Sequence, residues 1–330
     1  MFCSKCGEAV QEDAHFCHRC GHLTEKGEEQ GAHYPKFGHY EHHGIHLDGR
    51  FVAKENKSYS SGVTKEKILL ETENINGPIR IKAWDKPEYN IELMIEARGY
   101  TKEEAEENLR LLKTELEDII VDDQQRLTLN IDYPNDFKRY YRINIDITLP
   151  AECELDSDVR SKNGRITLEG MKGGVLNVET KNGRIGLKSV TADEIVCRTR
   201  NGRLILDDVS AGIIKGRSSN GKIEGKLESK RASLTTSNGK IDIALPCSAS
   251  GEYEFRTSNG EIDLDIPKGP TVGFDLNLRT SMGRINVDLL DLEYKFDRKN
   301  RISTRTKGFD GKEVQISIEA ETSMGKIWLN

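Results

Sequence analysis

The sequence lacks long apolar runs and has few hydrophobic residues overall. Hydrophobic residues make up 35% of the 330 positions and charged residues 32%, so the core must be thin or repetitive. No stretch approaches the ~18 apolar residues that a membrane-spanning helix requires, which predicts no transmembrane segment. The chain also begins without the charged and apolar segments of a secretory signal. We therefore expect a cytoplasmic protein, with peripheral membrane association left open.

Histidine is confined to the first 46 residues, where all eight histidines lie. The remaining residues therefore cannot supply a histidine base or a Ser-His-Asp triad of their own. The net charge of −6 gives the chain as a whole no attraction to nucleic acid or to anionic membranes. These absences favour a binding or structural protein over an enzyme, and we expect no small-molecule substrate.

Four of the seven cysteines form two Cys-x-x-Cys pairs, ten residues apart and each followed by glycine: Cys3, Cys6, Cys17 and Cys20. This pattern resembles the short zinc ribbons of bacterial proteins and predicts such a ribbon over residues 1–24. Because all four ligands are thiolates, a bound Zn²⁺ would have no open coordination position, so we expect a structural metal. Protein and nucleic acid both remain open as partners of the ribbon.

The other three cysteines, Cys153, Cys197 and Cys247, lie far apart and show no ligand spacing. The odd total argues against a disulfide framework. In a reducing compartment they are expected to behave as small buried hydrophobic residues.

Composition divides the rest of the chain into three segments. Residues 25–66 are rich in Gly, His, Glu, Lys and Ser without an apolar period, which predicts a flexible linker. Residues 67–150 contain several alternating runs, which predict strands, and one helical pattern. Residues 151–330 are repetitive, so we expect residues 67–150 to cap a domain built from those repeats.

The helical pattern follows Thr101, which has Glu104 three residues later, the signature of a capping box. Apolar residues then recur at helical spacing: Ala105, Leu109, Leu112 and Leu116. These positions predict an amphipathic helix with one apolar face.

The repeat is centred on an Asn-Gly pair. With the asparagine counted as position zero, position −2 is Ser or Thr and position +3 is Ile or Leu in all eight copies. The first four asparagines are 19 residues apart, and the next steps are 18 and 21 residues: Asn163, Asn182, Asn201, Asn220, Asn238 and Asn259. Two later copies have Met282 and Met324 instead, and Asn76 fits the same frame. Because side chains alternate along a strand, each copy predicts two short strands that share one apolar face.

Two architectures satisfy this pattern. Asn-Gly between alternating runs is a hairpin signal, so a succession of hairpins is one of them. The other is a β-solenoid in which each repeat forms one coil, and the nearly constant period favours it because stacked coils must match in length. The glycine is expected to supply a positive φ at the corner.

The repeated Ser/Thr-x-Asn-Gly-Arg/Lys-Ile-x-Leu units resemble bacterial adhesin-like domains of unknown function with β-strand repeats, over about residues 65–330. This resemblance implies an all-β fold similar to a right-handed β-helix, here with one capping helix. It implies no catalytic residues.

Position +2 is basic in most copies, and in a solenoid these residues would form a ladder along one edge: Arg165, Arg184, Arg203, Lys222 and Lys240. Such a ladder could bind an anionic polymer, an envelope component or lipid headgroups. It could also be a solvated row that neighbouring acids balance. No aromatic residues are interleaved with it, so nucleic acid is not expected to bind the β domain.

Three acids occupy position +4 in successive repeats: Glu224, Asp242 and Asp263. Stacked carboxylates could serve glycoside hydrolysis or Ca²⁺ binding. Lys222, Lys240 and Glu261 lie two residues earlier on the same face, so we expect a salt-bridged ladder that accounts for two of the three acids.

These patterns together favour a non-enzymatic β-repeat scaffold or binding protein with a structural zinc ribbon, whose partner is a protein or an anionic polymer. The alternatives are a carbohydrate-active β-helix enzyme and a regulator whose ribbon contacts nucleic acid.

Overall fold

The structure is a computed structural model that describes Ala9, residues 51–134 and residues 140–330. Residues 47–330 form one compact unit. Its described part consists almost entirely of β-strands, with one α-helix and one short 3-10 helix.

The first strands and the helix precede the regular repeats. They are β1 (Phe51–Gly62), β2 (Lys67–Asn76), β3 (Ile79–Trp84), β4 (Glu88–Gly99), α1 (Lys102–Leu111), β5 (Lys113–Val121), β6 (Gln124–Asp132) and β7 (Tyr141–Pro150).

The regular repeats follow. They contain β8 (Glu154–Asn163), β9 (Ile166–Glu169), β10 (Lys172–Thr180), β11 (Ile185–Thr199), β12 (Leu204–Ser218), β13 (Ile223–Thr236), β14 (Ile241–Ala244), β15 (Gly251–Thr257) and β16 (Ile262–Asp265).

The last part contains two further repeats and a hairpin. Its elements are β17 (Val272–Met282), β18 (Ile285–Val287), β19 (Leu292–Arg298), β20 (Arg301–Thr306), the 3-10 helix η1 (Phe309–Gly311), β21 (Val314–Met324) and β22 (Ile327–Leu329).

Strands from successive repeats pair in parallel, with equivalent positions opposite each other. Ile166 pairs with Ile185, which pairs with Leu204 in the next repeat. A series of hairpins would instead pair consecutive strands antiparallel. The repeats are therefore coils of a solenoid, and the preference for a solenoid over a hairpin array is confirmed.

The core is thin and consists of aliphatic rows. Position +3 is fully buried in nearly every coil, as at Ile166, Ile223 and Ile262. Position −4 forms a second buried row on the strand before the corner. Cys197 lies in this row and is also buried, so it packs as a small apolar residue. Each coil buries its apolar face against its neighbours, as a solenoid requires.

The spatial order of the coils differs from their order in the sequence at both ends. β2 and β3 pair in parallel with β8 and β9 on one side and with β6 and β7 on the other. The Asn76 repeat is therefore a coil within the stack rather than part of the predicted cap, and β6 and β7 lie beyond it although they follow it in the sequence. At the other end, β21 and β22 lie between the coil of β15 and β16 and the coil of β17 and β18. The last repeat of the chain is thus inserted between the two that precede it.

Antiparallel strands cover the ends of the stack. β4 pairs with β7 and β1 at one end, where α1 packs against β4 and β1. β20 pairs with β17 and carries β19 at the other end. These strands take up edges that would otherwise be open to association.

The linker predicted over residues 25–66 is wrong for residues 51–62, which form β1. This strand pairs with β4 along its whole length, yet none of its residues is fully buried. Because an edge strand of this kind has no core face, apolar periodicity could not detect it.

The helix begins as predicted and ends earlier. Thr101 accepts a hydrogen bond from the Glu104 amide, and the Glu104 carboxylate accepts one from the amide of Tyr100. Leu112 is the C-cap in an extended conformation, and Leu116 lies on β5. The predicted stripe is therefore wrong at these two residues, because alternating positions of the following strand coincide with helical spacing there.

The corner glycines are required for space, and the predicted positive φ is wrong for all but Gly77 (φ 120°). A Cβ built on Gly202 would lie 1.6 Å from the carbonyl oxygen of Gly183 in the preceding coil, and one on Gly183 would lie 1.7 Å from that of Gly164. Coils approach so closely at the corner that only glycine fits.

Candidate functional site

A row of asparagine side chains runs along the corner of the solenoid. Each amide nitrogen donates to the amide oxygen of the preceding asparagine at 2.7–2.8 Å, through Asn76, Asn163, Asn182, Asn201, Asn220, Asn238 and Asn259. This row is exposed over most of its length, so it fixes the corner at the surface and positions the residues on either side.

Hydroxyl groups lock the same corner from inside. Thr180 and Thr199 donate to the carbonyls of Gly164 and Gly183 at 3.0 Å, and the later coils repeat the bond. From Thr180 onwards these hydroxyls are thus satisfied by a neighbouring coil, whereas the buried hydroxyl of Ser161, at the same position in the Asn163 coil, has no hydrogen-bond partner among the described residues. The regular corner is therefore held by backbone and side chains together.

Position +2 forms the predicted ladder, hereafter the +2 row. The amide of Ile185 donates to the carbonyl of Arg203 at 3.0 Å, and that of Leu204 donates to Lys222 at 3.0 Å. These bonds keep the backbones of the row in register. The structure therefore brings Arg165, Arg184, Arg203, Lys222 and Lys240 together on one edge, as the sequence predicts.

The second half of the +2 row is neutralised by acids. Lys222 contacts Glu224 at 2.7 Å and Asp242 at 2.8 Å, and Lys240 contacts Asp263 at 2.9 Å and Asp242 at 3.4 Å. The expected salt-bridged ladder forms, and it includes the third acid, Asp263, because the lysine of the preceding coil reaches it. We call the repeats of Asn220, Asn238 and Asn259 the salt-bridged corner.

The pKa values of these groups follow from the pairing. Hydrogen bonds to Asp242 and Glu224 raise the pKa of Lys222. Burial alone would lower the pKa of Lys240, but the bond to Asp263 and the charge of Asp242 outweigh it, so this pKa is raised. Burial alone would likewise raise the pKa of Asp242, but Lys222 and Lys240 lower it below its ordinary value. Both signs of charge are thereby held in place.

The first half of the +2 row is different. Arg165 and Arg184 are exposed and form no ion pair with any described residue. Arg203 reaches only Glu224, at 3.8 Å. The cause is position +4, which holds uncharged residues in these three coils: Thr167, Gly186 and Ile205.

Three further basic residues lie across the asparagine row from these arginines. Position −1 holds Lys162, Lys181 and Arg200 in the same three coils, and all three are exposed. We call these residues the −1 row, and the repeats of Asn163, Asn182 and Asn201 the basic corner. The sequence showed these charges, but the difference between the two corners becomes visible only when position +4 is compared coil by coil.

Two clefts lie on other faces of the described residues. One has a volume of about 740 Å³ and includes Tyr253 and Asp275, and the other has about 560 Å³ and includes Asp158 and Arg160. Most charged residues in both are already paired, as Asp275 is with Arg305 and Asp158 with Arg160. The smaller cleft is lined mostly by polar surface, unlike the largely apolar pockets that bind small molecules.

The predicted zinc ligands Cys3, Cys6, Cys17 and Cys20 lie outside the described residues. Among the described residues, no group of His, Cys, Asp and Glu is placed to hold a metal. The other cysteines are free and buried as predicted. Burial raises the pKa of both Cys197 and Cys247 to about 12, which keeps these thiols protonated. In the part of the chain that the structure describes, no helix has the length and apolarity to cross a membrane.

Comparison with known proteins identifies one family. The family model described as Toastrack DUF4097 matches residues 66–327. No curated protein matches the chain.

Solved structures give weaker likenesses. A "putative adhesin" from Bacteroides fragilis NCTC 9343 is 15% identical, with 84% of this chain and 98% of that chain covered and a TM-score of 0.42. A "putative adhesin" from Parabacteroides distasonis ATCC 8503 is 12% identical, with coverages of 85% and 98% and a TM-score of 0.40. A "putative lipid binding protein" from the same Parabacteroides strain is 12% identical, with coverages of 83% and 97% and a TM-score of 0.36. At these TM-scores the family assignment rests on the family model alone.

Proposed function

This chain belongs to the Toastrack DUF4097 family, and from that premise we propose that it is a non-catalytic, adhesin-like scaffold whose solenoid binds an anionic partner. The partner is a protein or a polymer of the cell envelope. The observation that carries the proposal is the unpaired state of Arg165 and Arg184 beside a row in which equivalent lysines are salt-bridged.

Unpaired arginines on a rigid frame are suited to bind anions. An arginine offers several donors in a planar fork that fits phosphate, sulfate or carboxylate groups. The coil-to-coil bonds at the corner hold the backbones of the arginines in place before binding, which reduces the entropy that binding must overcome.

The acids at position +4 do not favour the enzyme alternative. A glycosidase needs one carboxylic acid with a raised pKa to protonate the leaving group. Asp242, which lies between the other two acids, instead has a lowered pKa because two lysines contact it. It would therefore remain ionised and bound to lysine.

The zinc ribbon, the handedness of the coils and the location of the protein rest on the sequence and on general rules of protein structure. Cys3, Cys6, Cys17 and Cys20 would hold one structural Zn²⁺, since their spacing and chemistry fit a closed tetrahedral site. The coils would wind right-handed, as parallel crossovers within one sheet nearly always do. The protein would act in the cytoplasm or at the inner surface of a membrane.

Affinity chromatography on immobilised heparin, a general polyanion, tests the binding role. The native full chain should be retained and eluted by salt, whereas a variant with Arg165→Glu and Arg184→Glu should elute at lower salt. A variant with Arg298→Glu and Lys299→Glu carries the same change in charge on exposed residues of the distal hairpin, and it should elute like the native chain. No retention of the native chain would refute the proposed binding role.

Metal analysis tests the ribbon separately. The dialysed full chain should contain one zinc per molecule, and a Cys17→Ser and Cys20→Ser variant should lose it. Equal zinc content in both proteins would contradict the predicted ligands.

A further inference from the structure

In the basic corner, two rows of basic residues flank the asparagine row, and we call them the two walls. The −1 row consists of Lys162, Lys181 and Arg200, and the facing part of the +2 row consists of Arg165, Arg184 and Arg203. Five of these six side chains form no ion pair with any described residue, and Arg203 has only the 3.8 Å contact with Glu224. A surface on a chain of net charge −6 thus carries a local excess of positive charge.

Both rows are held in register by backbone bonds between coils. The amide of Asn182 donates to the carbonyl of Lys162 at 2.9 Å, and the amide of Ile166 donates to that of Arg184 at 2.9 Å. Adjacent members of each row are therefore separated by the strand spacing of about 4.8 Å, and the three coils extend about 10 Å along the solenoid axis.

The asparagine row, which we call the floor, is a line of polar side chains between the two walls. The amide nitrogen of Asn182 or Asn201 carries two hydrogens, and one of them is donated to the preceding asparagine. The second is free of hydrogen bonds to any described residue. The floor can therefore donate to oxygens of a bound anion while the walls supply positive charge.

The basic corner also has defined ends. In the coil before it, the equivalent positions hold Ile75 and Pro78, which carry no charge. In the coil after it, they hold Ser219 and the salt-bridged Lys222. The surface is thus a short track parallel to the solenoid axis.

Resting on the proposed function, we infer that the partner is a linear polyanion that lies along this track between the two rows. Its anionic groups contact both walls, and its length runs parallel to the stack of coils. None of the residues of the walls or floor is aromatic, so the track offers no platform for stacking bases, and the polymer is one without bases.

Binding of long-chain polyphosphate to the full chain, measured by calorimetry, tests this inference. Pyrophosphate, vesicles containing phosphatidylglycerol and single-stranded DNA are the comparison ligands. The native chain should bind long-chain polyphosphate at least about tenfold more tightly than pyrophosphate, because only the polymer contacts all three coils.

Three variants assign the two walls. Replacing Lys162, Lys181 and Arg200 by glutamine should weaken polyphosphate binding at least about tenfold, and so should replacing Arg165, Arg184 and Arg203 by glutamine. Both should also lower the dependence of affinity on salt. The matched control replaces Lys295, Arg298 and Lys299 by glutamine, with less than about a twofold effect. All nine side chains are exposed, and circular dichroism checks that the variants fold.

The outcomes separate this inference from the proposed function. If only the +2 row variant weakened binding, or if pyrophosphate bound as tightly as polyphosphate, the inference of a linear track would be overturned. The proposed binding of an anionic partner would still stand. Vesicles bound in preference to polyphosphate would overturn it in favour of lipid headgroups, and tighter binding of DNA would do so in favour of nucleic acid. Absence of binding to all four ligands, or an equal loss in the control variant, would overturn both.

Discussion

The basic corner and the salt-bridged corner share one frame along the asparagine row and differ chiefly in their outward residues. The asparagine row, the corner glycines and the buried hydroxyls continue through both. Position +2 is basic in most of their coils, yet it is unpaired in one corner and salt-bridged in the other. Lys222 and Arg184 thus occupy equivalent positions with different chemistry.

The residue at position +4 makes the difference. In the salt-bridged corner a carboxylate there contacts the basic residue of its own coil and that of the coil before it, as Asp242 does with Lys240 and Lys222. In the basic corner an uncharged residue such as Ile205 leaves the arginines to solvent. A repeated charge is therefore evidence for binding only after its neighbours in the adjacent coils have been examined.

The largest expected effect tests whether the frame is common to both corners. Gly202→Ala would place a Cβ 1.6 Å from the Gly183 carbonyl oxygen, and Gly239→Ala one 2.1 Å from that of Gly221. Because coils must separate to relieve either clash, both variants should lose about 3 kcal/mol or more of the free energy of unfolding. Urea unfolding measures this loss.

Gly186→Ala is the matched control for the glycines, because its Cβ would lie 3.5 Å from Thr167, an ordinary contact. It should change stability by less than about 0.5 kcal/mol. Tolerance of alanine at Gly202 or Gly239 would show that the corner can relax in that half of the solenoid, and the frame would then not be common.

The second prediction converts each corner into the other. Thr167→Glu with Ile205→Glu places carboxylates where the basic corner has none, so polyphosphate binding should weaken about tenfold. Glu224→Gln with Asp242→Asn and Asp263→Asn releases Lys222 and Lys240, which should strengthen binding by a similar factor. Calorimetry measures both changes.

Two results would break this comparison. If the added glutamates left affinity unchanged, the arginines of the basic corner would not be the binding groups. If removing the three acids had no effect, the lysines of the salt-bridged corner would be placed wrongly for the ligand, and position +4 would not be the controlling residue.

The repeat frame could be predicted from the sequence because it depends on local alternation. The stacking of like positions, the cap at Thr101 and the burial of Cys197 all follow from patterns within one or two repeats. The registration of the +2 row follows from the same period.

Features that depend on distant segments could not be predicted. Nothing local indicates that β21 inserts between β15 and β17, since the same repeat pattern fits either order. β1 pairs with a single strand, β4, and all of its residues are exposed or half-buried, so it shows no apolar face in the sequence. The corner glycines resemble turn glycines, but their reason is a carbonyl in another coil. The sequence showed the candidate site as a row of charges. The division of that row into an unpaired part and a salt-bridged part depends on ion pairs between adjacent coils.

The smallest expected effect is a pH dependence of stability confined to the salt-bridged corner. Because the pKa of Asp242 is lowered in the folded protein, its ionic contacts stabilise the fold above the unfolded pKa of about 3.9, and this contribution is lost as pH falls through the lower folded value. Because the pKa values of Lys222 and Lys240 are raised, their contribution is present below about pH 10.4 and is lost as pH rises through the folded values. These side chains are about one third exposed, so we expect less than about 1 kcal/mol in total.

Asp242→Asn should therefore lower the free energy of unfolding slightly at neutral pH, and the difference from the native chain should disappear in acid. The matched change at position +4 of the basic corner, Thr167→Asn, should give a difference that does not vary with pH. Urea unfolding across the acid range measures both, and an Asp242→Asn difference that persisted in acid would show that these contacts stabilise the corner by packing rather than by charge.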